Sequence, residues 1–241
     1  MAIPTLSPLD GALLVDKPAT WTSHDVVAKV RNHFRLPKVG HCGTLDPNAT
    51  GLLILVLGKA TKLSEKLMSD DKVYEGSMKL GQTTNTYDSE GEPEEIKPVP
   101  QLTLEQLNDT AKTFIGDQMQ LPPMVSAVKK DGVPLYKLAR KGIEVERKER
   151  FIHVYRFPIT AYENETAWFS VACTKGAYVR TLAHDFGAKL GCGAHLSTLR
   201  RSASGKLNVK DAIPFEDAVK LSHDELAEHV IPILKLASAI A

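Results

Sequence analysis

The N-terminal part of the chain alternates between short apolar runs and polar loops. Residues 12–16 form an apolar run that predicts a buried strand, and residues 52–57 form a second one. Between them, Ser23 is the predicted N-cap of a helix whose apolar positions recur at helical spacing. Residues 40–51 contain three glycines, a proline and an asparagine, so the pattern predicts a loop there.

Farther along, strands and helices follow one another without regular strand–helix alternation. Apolar residues at every second position predict strands over residues 73–80 and 167–173. A capping box at Thr103 and Gln106 predicts one helix, and apolar positions at helical spacing predict another that ends at Gly191. This mixture predicts an α+β fold with a mixed, mostly antiparallel central sheet flanked by helices.

Composition fits one large globular domain in a reducing compartment. The chain has 241 residues, of which 43% are hydrophobic, enough to bury a sizeable core. Its three cysteines are odd in number and lack CxxC spacing, which indicates reduced thiols and a cytoplasmic protein. The N-terminus does not resemble a signal peptide, and the run at residues 52–57 is too short to span a bilayer, so we expect no membrane association.

The nearly neutral net charge of +1 hides an uneven distribution. Residues 88–109 carry seven acids and one base, whereas residues 129–150 carry eight bases and four acids. A basic face of this kind can bind nucleic-acid phosphates while the acidic run faces solvent. The alternative for the basic segment is a solvated loop.

The segment with the most chemical information is residues 40–51, Gly-His-Cys-Gly-Thr-Leu-Asp-Pro-Asn-Ala-Thr-Gly. An aspartate in a glycine-rich loop, such as Asp46, can present its carboxylate to a ligand that approaches the backbone closely. Aspartate before proline also commonly begins a turn, and spacing alone favours that second interpretation.

Four further segments accompany this loop in a fixed order. They are Asp16-Lys17-Pro18 with residues 22–27, Lys72-Val73-Tyr74 followed by Leu80-Gly81, residues 173–182 (CTKGAYVRTL), and residues 195–201 (HLSTLRR). Together the five segments, spread over about residues 11–205, resemble the TruB family of pseudouridine synthases. The resemblance implies the pseudouridine synthase fold and an isomerase that needs no cofactor or metal. Its expected substrate is the uridine at position 55, in the T-arm of tRNA.

The same resemblance assigns roles to seven residues. It implies that Asp46 is the catalytic nucleophile and that Tyr74 stacks on the target base. It places Tyr178 and Arg180 beside the carboxylate. The other expected contacts are His41 to the flipped-out region of the RNA, Leu199 to the base pocket, and Lys17 as a support from the N-terminal segment. Without the resemblance, Tyr74 would be interpreted as sheet core and Arg180 as a surface helix residue.

These residue types suit the reaction. A stacked uridine must be flipped out at a cost of roughly a few kcal/mol, and an aromatic platform returns about 1–3 kcal/mol per base. The nucleophile must be ionised, and a neighbouring guanidinium stabilises a carboxylate. The HxE and PCxxC pattern of zinc deaminases, which would indicate a different base chemistry, is absent from the sequence.

We therefore expect residues 1–241 to form a single catalytic domain. Residues 121–150 match a thumb-like insertion over the RNA, and residues 206–241 form a C-terminal extension without the PUA domain that many relatives carry. The expected partner is the tRNA T-arm, bound by a monomer with no obligatory protein partner. Two alternatives are a guide-RNA-directed synthase and a tRNA-folding chaperone that acts by binding the T-arm.

Overall fold

The computed structural model describes residues 6–126, 129–130, 132–135, 139, 142–143 and 145–239. The chain divides into two compact units. The first unit comprises Met1–Tyr74 and Arg200–Ala241, and the second unit comprises Glu75–Leu199. Among the helices described, none has the length and apolar character needed to cross a lipid bilayer.

The regular elements within the described residues are numbered in chain order. The α-helices are α1 (Ser23–His33), α2 (Ser64–Met68), α3 (Leu104–Lys112), α4 (Val179–Leu190), α5 (Phe215–Ala218), α6 (His223–His229) and α7 (Ile233–Ala239). Short 3-10 helices span Gly58–Leu63 and Val209–Asp211. The strands of the first half are β1 (Gly11–Lys17), β2 (Val39–Cys42), β3 (Thr50–Leu57), β4 (Lys72–Leu80), β5 (Gln82–Thr84), β6 (Pro93–Ile96), β7 (Gly116–Gln120) and β8 (Lys129–Lys130). Those of the second half are β9 (Val133–Pro134), β10 (Arg150–Arg156), β11 (Ile159–Glu163), β12 (Thr166–Cys173), β13 (Ala194–Ser204), β14 (Leu207–Asn208), β15 (Ile213–Pro214) and β16 (Ile231–Pro232).

Strand β3 is the centre of the first unit. It pairs antiparallel with β1 and β2 and parallel with the second part of β13. Its last seven residues are buried, as expected of a strand that is covered on both faces and reads as a continuous apolar run. Strand β1 in turn pairs parallel with β15 and antiparallel with β16.

The second unit is built on β12, which pairs antiparallel with β10 and β11, while β10 pairs antiparallel with β7. Its predicted alternation is confirmed, because Ala167, Phe169, Val171 and Cys173 are all buried. Four phenylalanines with ring centroids 5.4–6.2 Å apart fill the core of this unit: Phe114, Phe157, Phe169 and Phe186. The predicted class, α+β with a mixed and mostly antiparallel sheet, is confirmed.

Several local predictions need correction. Thr22, not Ser23, is the N-cap of α1, and it forms a capping box with Asp25. The predicted loop at residues 40–51 is shorter, since β2 extends to Cys42 and β3 begins at Thr50. The sequence pattern did not predict β2, because this strand has only four residues and three of them are partly exposed. The acidic run that was expected to face solvent contains a strand, β6, whose four residues are all exposed and which pairs with β5.

The longest described element that the sequence pattern did not predict is β13, a strand of 11 residues. Its burial does not alternate strictly, so it has no period-two pattern to detect. The first part of β13 belongs to the second unit and its second part to the first unit, and β4 is likewise shared.

Candidate active site

Asp46 lies in the loop between β2 and β3, here called the Asp46 loop and comprising residues 43–49. The backbone N–H of Ala49 donates to the carbonyl of Asp46 at 3.1 Å, so a turn does begin at Asp46. The neighbouring side chains of Leu45 and Ala49 are buried. Buried apolar residues on both sides of Asp46 anchor the loop to the core of the first unit, which limits how far the half-buried Asp46 can move.

Lys17 supports this loop from the end of β1. Its ammonium donates to the carbonyls of Pro18 (2.8 Å), Trp21 (2.6 Å) and Pro47 (2.9 Å). Three carbonyl acceptors match the three N–H donors of an ammonium group. Burial lowers the pKa of Lys17 to about 8, against the negative charge of Asp46, which raises that pKa. The structure thus brings Lys17 to the residue that follows Asp46, as its predicted supporting role requires.

Ser23, predicted to be a helix N-cap, is instead a second support of the loop. Its buried hydroxyl accepts from the backbone N–H of Leu45 at 2.9 Å and donates to the carbonyl of the same residue at 3.2 Å. Ser23 therefore fixes both polar groups of the residue before Asp46. A serine beside a capping threonine offers no sequence signal for such a long-range contact.

His41 and Tyr74 also belong to the first unit. His41 lies in β2 opposite Leu55, and its pKa is lowered by burial and, to a lesser degree, by the positive charges of Arg201 and His24. Its buried Nδ1 has no hydrogen-bond partner among the described residues. Tyr74 is half-buried in β4.

In the second unit, Arg180 lies in the first turn of α4 and is buried. It is therefore not the surface helix residue that the sequence pattern would indicate without the family resemblance. Its guanidinium donates to the carbonyls of Thr86 (3.2 Å) and Val125 (2.7 Å) and lies 3.4 Å from a carboxylate oxygen of Asp88. Asp88 belongs to the acidic run that was predicted to face solvent. That assignment is wrong for Asp88, whose side chain is only 14% exposed.

Tyr178, the residue just before α4, is held through its backbone. The buried side chain of Gln120 accepts from the N–H of Tyr178 at 2.7 Å and donates to its carbonyl at 3.1 Å. Gln120 was not identified from the sequence, because a single glutamine at a strand end is an ordinary surface residue. Leu199 is half-buried in β13 and belongs to the same unit.

The predicted site residues are therefore divided between the two units. Lys17, His41, Asp46 and Tyr74 lie in the first, and Tyr178, Arg180 and Leu199 lie in the second. Within the first unit the structure brings Lys17 to the Asp46 loop. The expected proximity of Arg180 to Asp46 joins residues of different units and stays a prediction.

The basic segment predicted as a thumb lies partly outside the described residues. Its described part contains the β8–β9 hairpin, with Lys129 opposite Pro134 and Lys130 opposite Val133. At its base the guanidinium of Arg147 donates to the carbonyl of Pro122 at 3.1 Å. This bond joins residues near the two ends of the segment, and the thumb-like insertion stays a prediction.

Comparison with known proteins gives consistent matches over nearly the whole chain. The tRNA pseudouridine synthase B of Opitutus terrae is 50% identical over 232 residues, covering 96% of each chain. The protein of the same name from Syntrophotalea carbinolica is 47% identical over 225 residues, covering 93% of this chain and 74% of its own. A crystal structure of a Cbf5-Nop10-Gar1 complex matches 96% of this chain with a TM-score of 0.76 and 29% identity. This chain spans 63% of the length of that matched chain.

Two family models also match, in adjacent parts of the sequence. Residues 31–179 match the N-terminal domain of the TruB family pseudouridylate synthases, and residues 180–236 match the C-terminal domain of tRNA pseudouridylate synthase B. The expected pseudouridine synthase fold is thereby confirmed. The first model alone covers more than half of the sequence, and the relatives are up to 50% identical to this chain. The chain therefore belongs to the TruB family of pseudouridylate synthases.

Proposed function

We propose that this enzyme isomerises the uridine at position 55, in the T-arm of tRNA, to pseudouridine with Asp46 as the nucleophile. The observation that carries the proposal is the anchored Asp46 loop, in which Lys17 and Ser23 fix the residues on either side of the aspartate. The names of the relatives, all tRNA pseudouridine synthase B, support tRNA as the substrate.

The reaction breaks the N1–C1′ glycosidic bond and forms a C5–C1′ bond. The uracil turns between the two events, the hydrogen of C5 is released to solvent, and N1 gains a proton. The carboxylate of Asp46 attacks either the ribose C1′ or the base C6, and its departure restores the free enzyme. Tyr74 stacks on the flipped base and offsets part of the cost of flipping.

Three residues of the second unit, Tyr178, Arg180 and Leu199, also have roles in the proposal. Arg180 stabilises the ionised nucleophile, and its own position is fixed by Asp88 and by the carbonyls of Thr86 and Val125. Tyr178 contributes to the pocket, with its backbone fixed by Gln120. His41 contacts the flipped-out region of the RNA loop, and Leu199 lines the base pocket.

The whole chain acts, in this proposal, as one catalytic domain in which residues 121–150 form the thumb over the RNA. We propose that it works in the cytoplasm as a monomer, without a guide RNA, a metal or another cofactor. Guide-directed modification and T-arm binding without chemistry are the two competing functions, and an assay of turnover on minimal RNA separates them from the proposed one.

The decisive assay is tritium release from C5-labelled uridine in an unmodified T-arm stem-loop, with no metal or cofactor added. We expect release by the unaltered enzyme. We expect an Asp46→Asn variant to lose turnover while its affinity for the stem-loop stays within about threefold, because the amide keeps the shape but not the nucleophilicity of the carboxylate.

Each outcome has a defined meaning. Turnover by Asp46→Asn would reject this aspartate as the nucleophile. Release from full-length tRNA but not from the stem-loop would place essential recognition outside the T-arm. Binding of both RNAs without release from either would favour the chaperone, and activity that appears only with an added guide RNA would favour the guided synthase.

A further inference from the structure

Arg201, next but one after Leu199 in β13, has no role in the function proposed above, yet it is only 1% exposed. Its Nε donates to the carbonyl of Leu52 at 2.8 Å, and its Nη2 donates to the carbonyl of Gly43 at 3.1 Å. In the part of the chain that the structure describes, it forms no salt bridge with a carboxylate. Burying a guanidinium without a counter-ion is costly, so stability alone does not explain an arginine here.

The two carbonyls that Arg201 binds stand at opposite ends of one segment. Gly43 is the first residue of the Asp46 loop, and Leu52 follows the start of β3, where the loop has rejoined the sheet. The Asp46 loop is thus closed by a single side chain from β13. The bond from Arg201 to Gly43 spans 158 positions in the sequence.

Backbone packing strengthens the same connection. Arg201 stands opposite Gly51 in the parallel pairing of β13 with β3. A Cβ atom at Gly51 would lie 2.4 Å from the carbonyl oxygen of Arg201, so only glycine permits this approach of the two chains.

Gly43 leaves space for the guanidinium at the other end. Its φ of +87° lies in the left-handed region, and a Cβ atom there would lie 3.1 Å from Nη1 of Arg201. Gly43 at the start of the loop, Gly51 and Leu52 in the strand that follows it, and the buried Arg201 therefore form one packed arrangement, here called the arginine clamp (Gly43, Gly51, Leu52 and Arg201).

The charge of Arg201 reaches the other groups of the first unit's site. It contributes to lowering the pKa of Lys17 and of His41, although burial is the larger cause for both. Arg201 and Asp46 thus act in opposite directions on the same ammonium group. These effects agree with a position of the Arg201 guanidinium beside the Asp46 loop.

We infer that Arg201 is a positioning residue for Asp46, and that the arginine clamp holds the two ends of the Asp46 loop at the separation that chemistry requires. The inference rests on the proposed role of Asp46. Lysine cannot replace Arg201, because one compact ammonium lacks the planar fork that binds two carbonyls in fixed directions. Misplacing a reacting group by about 1 Å can cost about a hundredfold in rate.

The test measures single-turnover tritium release and RNA affinity for Arg201→Met, Arg201→Lys and Gly43→Ala. We expect each variant to lose about ten- to a hundredfold in the single-turnover rate while RNA affinity stays within about threefold. Gly43→Ala leaves the Arg201 side chain present but strains the backbone at Gly43 and crowds Nη1 of Arg201, so it tests the clamp from its other end even if Arg201→Met does not fold. A Gly43→Ala, Arg201→Met double variant should be no slower than the slower single variant, because both changes break one connection.

Gly191→Ala is the matched control. Gly191 also has a left-handed φ, of +80°, but a Cβ atom there would contact nothing within 4 Å. We expect this change to lower stability without lowering the single-turnover rate, and to combine additively with Arg201→Met. Three outcomes would each overturn the clamp. They are full activity of Arg201→Lys, losses in RNA affinity instead of in the single-turnover rate, and multiplying losses in the Gly43→Ala, Arg201→Met double variant. Tritium release by the unaltered enzyme is measured beside these variants, so a failure of the proposed function would be seen separately.

Discussion

Three buried cations of the first unit bind backbone carbonyls, and two of them, Lys17 and Arg201, bind carbonyls of the Asp46 loop. Lys17, Lys72 and Arg201 are each no more than 5% exposed, and all three bind backbone carbonyls. A lysine or arginine in the interior stays charged only if its donors are satisfied, and carbonyl oxygens provide this without adding negative charge. Lys17 and Arg201 therefore place buried positive charge beside the Asp46 loop, which favours an ionised carboxylate at Asp46.

The pH dependence of stability should report the burial of Lys17. Its pKa in the folded protein, about 8, lies below the ordinary value of 10.5. Below about pH 8 the ammonium of Lys17 is charged in the folded and in the unfolded protein, so the folded protein is destabilised by the burial of that charge. Between these two values the unfolded chain binds more protons, so the free energy of unfolding rises with pH, by at most about 1.4 kcal/mol per pH unit.

We expect the unaltered protein to gain stability relative to Lys17→Met as the pH is raised above about 8. Urea unfolding of both proteins at several pH values measures this difference, and the comparison cancels the contribution of Lys72, whose pKa burial also lowers to about 8. A difference that does not change with pH would contradict the assignment to Lys17.

At the scale of the element, helix α1 contacts the Asp46 loop through its first residue, Ser23. Its N-cap, Thr22, accepts from the N–H of Asp25 at 3.0 Å, while Asp25 accepts from the N–H of Thr22 at 3.2 Å. The next residue, Ser23, bonds to Leu45 instead. Neighbouring residues thus do different things, since Thr22 stabilises the helix and Ser23 connects it to the Asp46 loop.

Comparing Ser23→Ala with Thr22→Ala separates these two roles. Each change should lower the free energy of unfolding by roughly 1 kcal/mol, the first by losing a buried hydrogen-bonded hydroxyl and the second by losing a cap. Only Ser23→Ala should also lower the single-turnover rate, because only Ser23 holds the loop. Urea unfolding and tritium release measure the two effects, and equal activity losses in both variants would reject a specific role for Ser23.

At the scale of the whole molecule, the distribution of charge matters more than its sum of +1. The basic residues concentrate in the thumb segment, whereas the acidic run contributes Asp88 to a buried ion pair in the second unit. Counter-ion release from RNA makes binding depend on how many phosphates the protein neutralises, which a salt titration measures.

Replacing the five bases of residues 129–141 with glutamine tests the thumb without deleting it. The replacement leaves Val125 and Arg147 intact, which bind Arg180 and Pro122. We expect weaker RNA binding and a shallower dependence of log affinity on log salt, by up to about 0.9 for each phosphate that the variant no longer neutralises. Turnover at saturating RNA should change little. An unchanged salt slope would exclude these bases from binding the RNA.

The sequence by itself determined the local elements with strong patterns and the identity of the chemistry. The continuous apolar run of β3, the alternation of β12 and the capping box of α3 each follow from neighbours in the chain, so periodicity suffices to predict them. The family segments likewise marked Asp46 and the other predicted site residues by their order.

Only the tertiary structure decided which polar residues support that chemistry. The sequence pattern predicted Ser23 as a cap and Asp88 as a solvated acid, and it gave no role to Arg201, because a charged residue is ordinarily exposed. Each is buried, or nearly so, by contacts with residues distant in sequence, such as the bonds from Arg201 to Gly43 and from Lys17 to Pro47. Such contacts depend on strand order and register, which bring distant backbone carbonyls beside a side chain and leave no periodic trace in the sequence.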